Sequence, residues 1–154
     1  MVDVRKTAYH ITAVSALGAD LNADASDAWT ALSAEVDNST TGYLFMDIEI
    51  TLASADFTTP GGTDMAYEIY VVPSVDGTGY PNTINTGAAT AQENQQYFVG
   101  AVTVHDVNGA FVGTIRGVDM PPGKWKLFGR NRTNRALAAT GNEIKYRPYS
   151  YQSA

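Results

Sequence analysis

Three observations predict an all-β chain folded as a single antiparallel β-sandwich, jelly-roll-like in its winding. First, residues 43–52 alternate: Leu44, Met46, Ile48, Ile50 and Leu52 form an apolar row, with Tyr43, Phe45, Asp47, Glu49 and Thr51 between them. Successive side chains of a strand point to opposite faces, so this segment has one buried face and one wet face. Second, Trp125, Leu127 and Gly129 alternate with Lys124, Lys126, Phe128 and Arg130, directly after Pro122-Gly123. Proline presets φ near -65° and glycine supplies a positive φ, so the pair predicts a type II turn leading into a strand with a Trp-Leu core face and a cationic, mostly wet face. Third, short apolar runs recur along the chain with turn-forming residues between them, the pattern of a sandwich.

At 154 residues with 44% apolar side chains, the chain is long enough for one domain that buries about 70% of its extended surface. Residues 1–20 read as an N-terminal segment and first strand that could serve as an arm, and residues 21–154 as the sandwich. Within them, residues 7–17 carry few charges and alternate loosely as a first strand, and residues 18–27 are a polar loop. Trp29, Leu32 and Val36 fall at helical spacing, whereas Leu32, Ala34 and Val36 alternate. The prediction there is at most a short helix near 26–32, passing into a strand that ends at Asp37-Asn38.

A turn at 39–42 precedes the strand 43–52, and a loop at 56–64 precedes a strand at 65–72 closed by Pro73. A long polar excursion runs from Asp76-Gly77 through Gln95-Gln96; loops of that length are usually functional or held by a neighbour. Strands are predicted at 97–104 and 110–118, with Asn108-Gly109 as the signal for a hairpin between them. The strand 124–131, a turn through Thr133-Asn134 and a last strand at 142–149 complete the chain.

Charge is distributed unevenly. The net charge is -6, but between Thr7 and Ile115 there are thirteen acids and no Lys or Arg, while from Arg116 onward eight bases face only Asp119 and Glu143. One reading lays strands from the two halves side by side, so that the charges neutralise within the subunit. The other sets an acidic surface of one subunit against a basic surface of another. Arg130, Arg132 and Arg135, with Tyr149 and Tyr151, are the candidates for such an interface.

The residues for catalysis do not assemble. With no cysteine and only His10 and His105, there is no nucleophile-plus-base signature, and each histidine is more simply a packed or solvated side chain. Asp47 and Glu49 share one side of a strand, about 7 Å apart by strand rise, a spacing open to glycosidase chemistry or calcium; on so acidic a chain, a solvated face is the simpler account. Asp76-Gly77-Thr78-Gly79 resembles half a calcium loop without the further acids. The glycines open no helix after a strand and so form no phosphate loop. Asn38-Ser39-Thr40 and Asn131-Arg132-Thr133 match the N-glycosylation acceptor pattern. No catalytic, cofactor or metal residues are therefore assigned.

Arginines interleaved with Trp125, Tyr146, Tyr149 and Tyr151 would suit a single nucleic-acid strand, but the acidic net charge opposes phosphate binding, so no direct nucleic-acid partner is expected. No run reaches the ~20 apolar residues of a membrane-spanning helix, and no membrane partner is expected. The nine tyrosines leave glycan binding open.

Several segments together carry a resemblance: residues 33–40, residues 43–48, Val72-Pro73-Ser74-Val75-Asp76-Gly77, Pro121-Pro122-Gly123-Lys124-Trp125-Lys126, Asn131-Arg132-Thr133, and Lys145-Tyr146-Arg147-Pro148-Tyr149. In that order, over about residues 30–150, they resemble small structural proteins of tailed bacteriophage particles. The resemblance implies a non-enzymatic virion component made in the host cytoplasm. The first expectation is a capsid cement or decoration protein on the capsid exterior, bound to the major capsid protein or other virion proteins as a symmetric homo-oligomer. The alternatives are a tail, neck or fibre subunit, or a carbohydrate-binding β-sandwich module. The family brings no catalytic residues with it.

Overall fold

The computed structural model describes residues 4–7, 12–13, 21–57, 65–81, 95–104 and 108–153. They form two antiparallel sheets, packed as a β-sandwich. The strands are β1 (Val4–Thr7), β2 (Thr12–Ala13), β3 (Val36–Asp37), β4 (Phe45–Asp56), β5 (Ala66–Pro73), β6 (Phe98–Thr103), β7 (Asn108–Asp119), β8 (Lys124–Arg132) and β9 (Glu143–Ser153). A single 3-10 turn at Gln95–Tyr97 leads into β6. One sheet runs β1-β9-β4-β7, with β2 also paired to β9; the other runs β3-β8-β5-β6.

The core is built by the two alternations seen in the sequence. Met46, Ile48, Ile50 and Leu52 of β4 are fully buried, and so are Tyr67 and Ile69 of β5 and Trp125 and Leu127 of β8. With Ile144 and Tyr146 of β9 they make one cluster between the sheets, in which Trp125 meets Tyr146 edge to face at 5.2 Å. Leu44 does not join this row: it precedes the strand and is 57% exposed.

Pairing joins opposite ends of the chain. β5 pairs with β6, β4 with β7, β3 with β8 and β1 with β9, each antiparallel, like a long hairpin nested on itself. Acid-rich early strands therefore lie against base-rich late ones. Asp47 stands opposite Arg147, Glu49 opposite Lys145, and Glu68 opposite Arg130. Strands from the two halves thus lie side by side, as the first reading of the charge pattern expected, and pairs such as Arg147–Asp47 and Lys124–Glu35 join late bases to early acids.

Several local expectations are corrected. No helix forms near 26–32. Residues 27–37 instead run along the free edge of β8, where the N–H groups of Asp27, Thr30 and Ser33 donate to Asn131, Gly129 and Leu127 carbonyls and Trp29 bridges to Arg130. That edge offers the backbone partners that a lone helical turn would otherwise supply internally, so tertiary pairing overrides the helical spacing. This segment also covers the outer face of β8, which is consequently not mostly wet. Trp29, Tyr70, Val72 and Phe128 form a second, smaller core there.

Asn108-Gly109 makes no hairpin between β6 and β7, because those strands belong to different sheets; the pair opens β7 opposite Asp56 and Ala55. Gly123 is not among the residues with positive φ, so Pro122-Gly123 does not form the type II turn and serves as a crossing from β7 to β8 in the other sheet. At the N-terminus, Val4–Thr7 is docked along β9 of its own chain. The rest of the expected first strand, the loop after Phe57 and most of the long polar excursion lie outside the described residues, as do His10 and His105.

Candidate functional site

The outer face of the β9-β4-β7 sheet carries an open groove of about 190 Å³. Its floor is β4, which presents Asp47 and Glu49; β9 contributes Lys145 and Arg147 on one side, and β7 contributes Thr114 and Arg116 on the other. The two carboxylates predicted to share a face do so, but their surroundings differ. Glu49 is exposed, whereas Asp47 is only 6% exposed, so the solvated face expected from the sequence holds for one acid and not for the other.

A β-bulge explains the difference. The β4/β7 register shifts between Met46 and Ile48, so that Arg116 and Gly117 together oppose Asp47. Gly117 takes φ +68°, a left-handed conformation that glycine adopts without steric cost, and its N–H donates to Asp47 Oδ1 at 3.1 Å. Arg147 Nη2 donates to Asp47 Oδ2 at 2.8 Å. Burial, followed by the negative charge of Asp47, pushes the neighbouring Tyr149 hydroxyl up to about 12. Lys145 is raised by its bond to Glu143, whose Oε2 lies 2.7 Å from Nζ; the charge of Glu49 adds to the same direction.

At one end of this face Phe45, Tyr149 and Tyr151 cluster, with ring centroids 5.5 to 5.7 Å apart. Of the two tyrosines predicted at an interface, Tyr149 is buried and Tyr151 is 47% exposed. The three predicted interface arginines lie elsewhere, at the end of β8 and the turn after it. Asp27 Oδ1 is 3.6 Å from Arg130 Nη2 and 3.3 Å from Arg132 Nε, and the Arg130 guanidinium stacks 4.9 Å from the Trp29 ring. The Arg135 carbonyl accepts from Asn131 Nδ2 at 2.7 Å. The structure thus separates the arginines from the tyrosines and gives two of the arginines an acid of their own chain.

The half calcium loop is a closed turn. Asp76 Oδ1 accepts from the N–H groups of Thr78 and Gly79 and from Ser74 Oγ. These bonds, the one from Gly79 foremost, hold its carboxyl well below the usual carboxylate range. Among the described residues, no three His, Cys, Asp or Glu side chains group as metal ligands.

Both acceptor-pattern asparagines are fully buried. Asn38 Nδ2 donates to the carbonyls of Tyr43 and Pro121, and Asn131 Nδ2 to those of Asp24, Ala25 and Arg135. Each clamps irregular backbone to the sandwich.

Sequence reasoning missed the Arg116-Gly117 bulge and the role of Asp27. An isolated glycine inside the strand pattern at 117 was the signal for the bulge. No local signal marks Asp27, because its partners are more than a hundred residues away.

No protein-family model matches the chain, and no curated protein matches it.

Proposed function

We propose that this chain is a non-enzymatic structural component of a bacteriophage virion, a cement or decoration protein that binds the capsid exterior as a symmetric oligomer. The observation that carries this reading is the nested pairing of β1 with β9, β3 with β8, β4 with β7 and β5 with β6, divided over two facing sheets. We take this winding to be a jelly roll, an architecture recurrent in viral capsid and lectin domains. The ordered resemblance over residues 30–150 points the same way. The charged groups of the groove also suit a surface more than a reaction centre, since Asp47 is held by Arg147 and Gly117, and Lys145 by Glu143. The test is mass spectrometry of purified particles of the phage that encodes the chain, with localisation of the sandwich in their density. Its absence from purified particles would overturn the proposal.

A second reading, a glycan-binding module, draws on one observation. The Phe45, Tyr149 and Tyr151 cluster leaves Tyr151 half exposed beside hydrogen-bonding groups of the groove. An aromatic face next to polar groups is suited to the apolar side of a sugar ring. Titration with a panel of oligosaccharides, comparing wild type with Tyr151→Ala, tests it; no saturable binding by wild type rejects it.

A further inference from the structure

Two side chains of the groove stand apart from the rest. Among the described residues, neither Glu49 nor Arg116 has an ion-pair or hydrogen-bond partner, and both are exposed. They lie on adjacent strands of one face: Glu49 is opposite Thr114, and Arg116 lies two residues further along β7. Every other charged side chain lining the groove is already paired, Asp47 with Arg147 and Lys145 with Glu143. What the face offers outward is therefore one acid and one base, side by side.

We propose that this face is a homodimer interface, in which a second copy docks about a two-fold axis passing between Glu49 and Arg116. A two-fold contact presents the same patch on both sides, so the patch must be complementary to itself. An acid outside any ion pair, touched only by the field of Lys145 across the strand, beside a base outside any ion pair meets that condition: Glu49 of each copy meets Arg116 of the other, twice per dimer. The neighbouring Val112, 59% exposed, and Thr114 supply small side chains near the axis that let the sheets approach. A face of three strands about 4.8 Å apart and about eleven residues long measures roughly 500 Å². Stable interfaces bury about 800 Å² per partner, so this dimer is weak in free solution and strengthens where a shell holds copies close together. The inference rests on the proposed function for its oligomer and names the surface that forms it.

Sedimentation velocity of the isolated chain over a concentration series tests the interface without the particle. Wild type is expected to dimerise reversibly, and more weakly as salt rises, because the contacts are charged. Glu49→Arg sets Arg against Arg and Arg116→Glu sets Glu against Glu, so each single variant should lose roughly tenfold or more in dimerisation constant. Mixed in equal amounts, the two variants should form a heterodimer, because one then carries two acids and the other two bases at the contact. The double variant E49R/R116E should dimerise as wild type does. Both positions are exposed, and circular dichroism would show that each variant keeps its fold. A wild type that stays monomeric at all concentrations, single variants that dimerise like wild type, or a mixture that fails to associate would each overturn the interface. None of these outcomes bears on whether the chain is found in purified particles, so the two proposals fail separately.

Discussion

The Tyr67 ring fills the space that a Cβ on Gly129 would occupy, one strand over in the same sheet. Tyr67 is fully buried, and its hydroxyl has no hydrogen-bond partner among the described residues; burial raises its ionisation well above the ordinary phenol range. Gly129→Ala should therefore overpack the core and cost about 1–3 kcal/mol. Tyr67→Phe, which removes an unsatisfied buried hydroxyl, should gain about 1 kcal/mol. Urea unfolding measures both. The pair Gly129→Ala with Tyr67→Leu should lose clearly less than the sum of its single changes, since each relieves the other.

Trp125 has no exposed surface and closes the cluster between the sheets against Tyr146. Trp125→Ala should cost about 3–5 kcal/mol in urea unfolding. A loss below about 1 kcal/mol would mean that β8 does not turn this face inward.

Arg147→Ala removes one of the donors to a carboxylate whose side chain is 7% exposed, while the arginine side chain is 41% exposed. Solvent screening of the arginine and the remaining Gly117 N–H keep the loss below that of a fully buried pair, at about 1–3 kcal/mol. Asp47→Asn in the Arg147→Ala background should recover part of the loss, because it removes a buried charge that has lost its counter-ion. Thermal melts of the three variants decide it.

Acid should loosen the turn at residues 74–79. The Asp76 carboxyl titrates below its ordinary value of 3.8 in the folded chain, so its contribution is present above that value and is lost as pH falls from there toward the folded one. Glu35, lowered chiefly by Lys124, and Asp37, lowered chiefly by Ser39, act in the same direction. Asp76→Asn should melt below wild type at neutral pH, and the gap should narrow as pH falls below about 4 toward the lower folded value. A gap independent of pH would show that the charge of Asp76 is not what holds the turn.

Trypsin reads the N-terminal pairing. Arg5 and Lys6 sit in β1 opposite Gln152 and Tyr151, so native protein should be cut there slowly. Unfolded protein should lose that end at once and yield residues 7–116 in one piece, because no Lys or Arg lies between Thr7 and Ile115. Rapid native cleavage at Arg5 would show that β1 detaches.

What could be read from the sequence was what depends on local period. The alternation through Met46, Ile48, Ile50 and Leu52, and that of Trp125 and Leu127, placed both walls of the core. Trp29, Leu32 and Val36 misled because their spacing fits a helix while their backbone finds its partners along β8, some hundred residues onward. Asn108-Gly109 carried a turn signal, but no short motif states whether the strands on either side share a sheet. At the groove, Asp47 and Glu49 were visible as one pair. Their separation into a held acid and an exposed one depends on Gly117, seventy residues away, and on Arg147, a hundred away. Alternation put the two acids on one face, and long-range pairing decided which of them is held.

The engagement of Asn38 and Asn131 bears on how the protein can be manufactured. Their amide nitrogens are the atoms to which a eukaryotic secretory pathway would attach oligosaccharide, and in the folded chain both amides are bonded inside the sandwich. An oligosaccharyltransferase could reach them only on nascent chain, and a chain so modified could not close around either residue. Expression through yeast or mammalian secretion would then lose material in proportion to acceptor occupancy. A bacterial cytosolic host avoids that loss. Replacing Thr40 and Thr133 to remove the acceptor pattern is equivalent only at the first position, because the Thr133 hydroxyl donates to Asn131 Oδ1 at 2.6 Å and is part of the clamp.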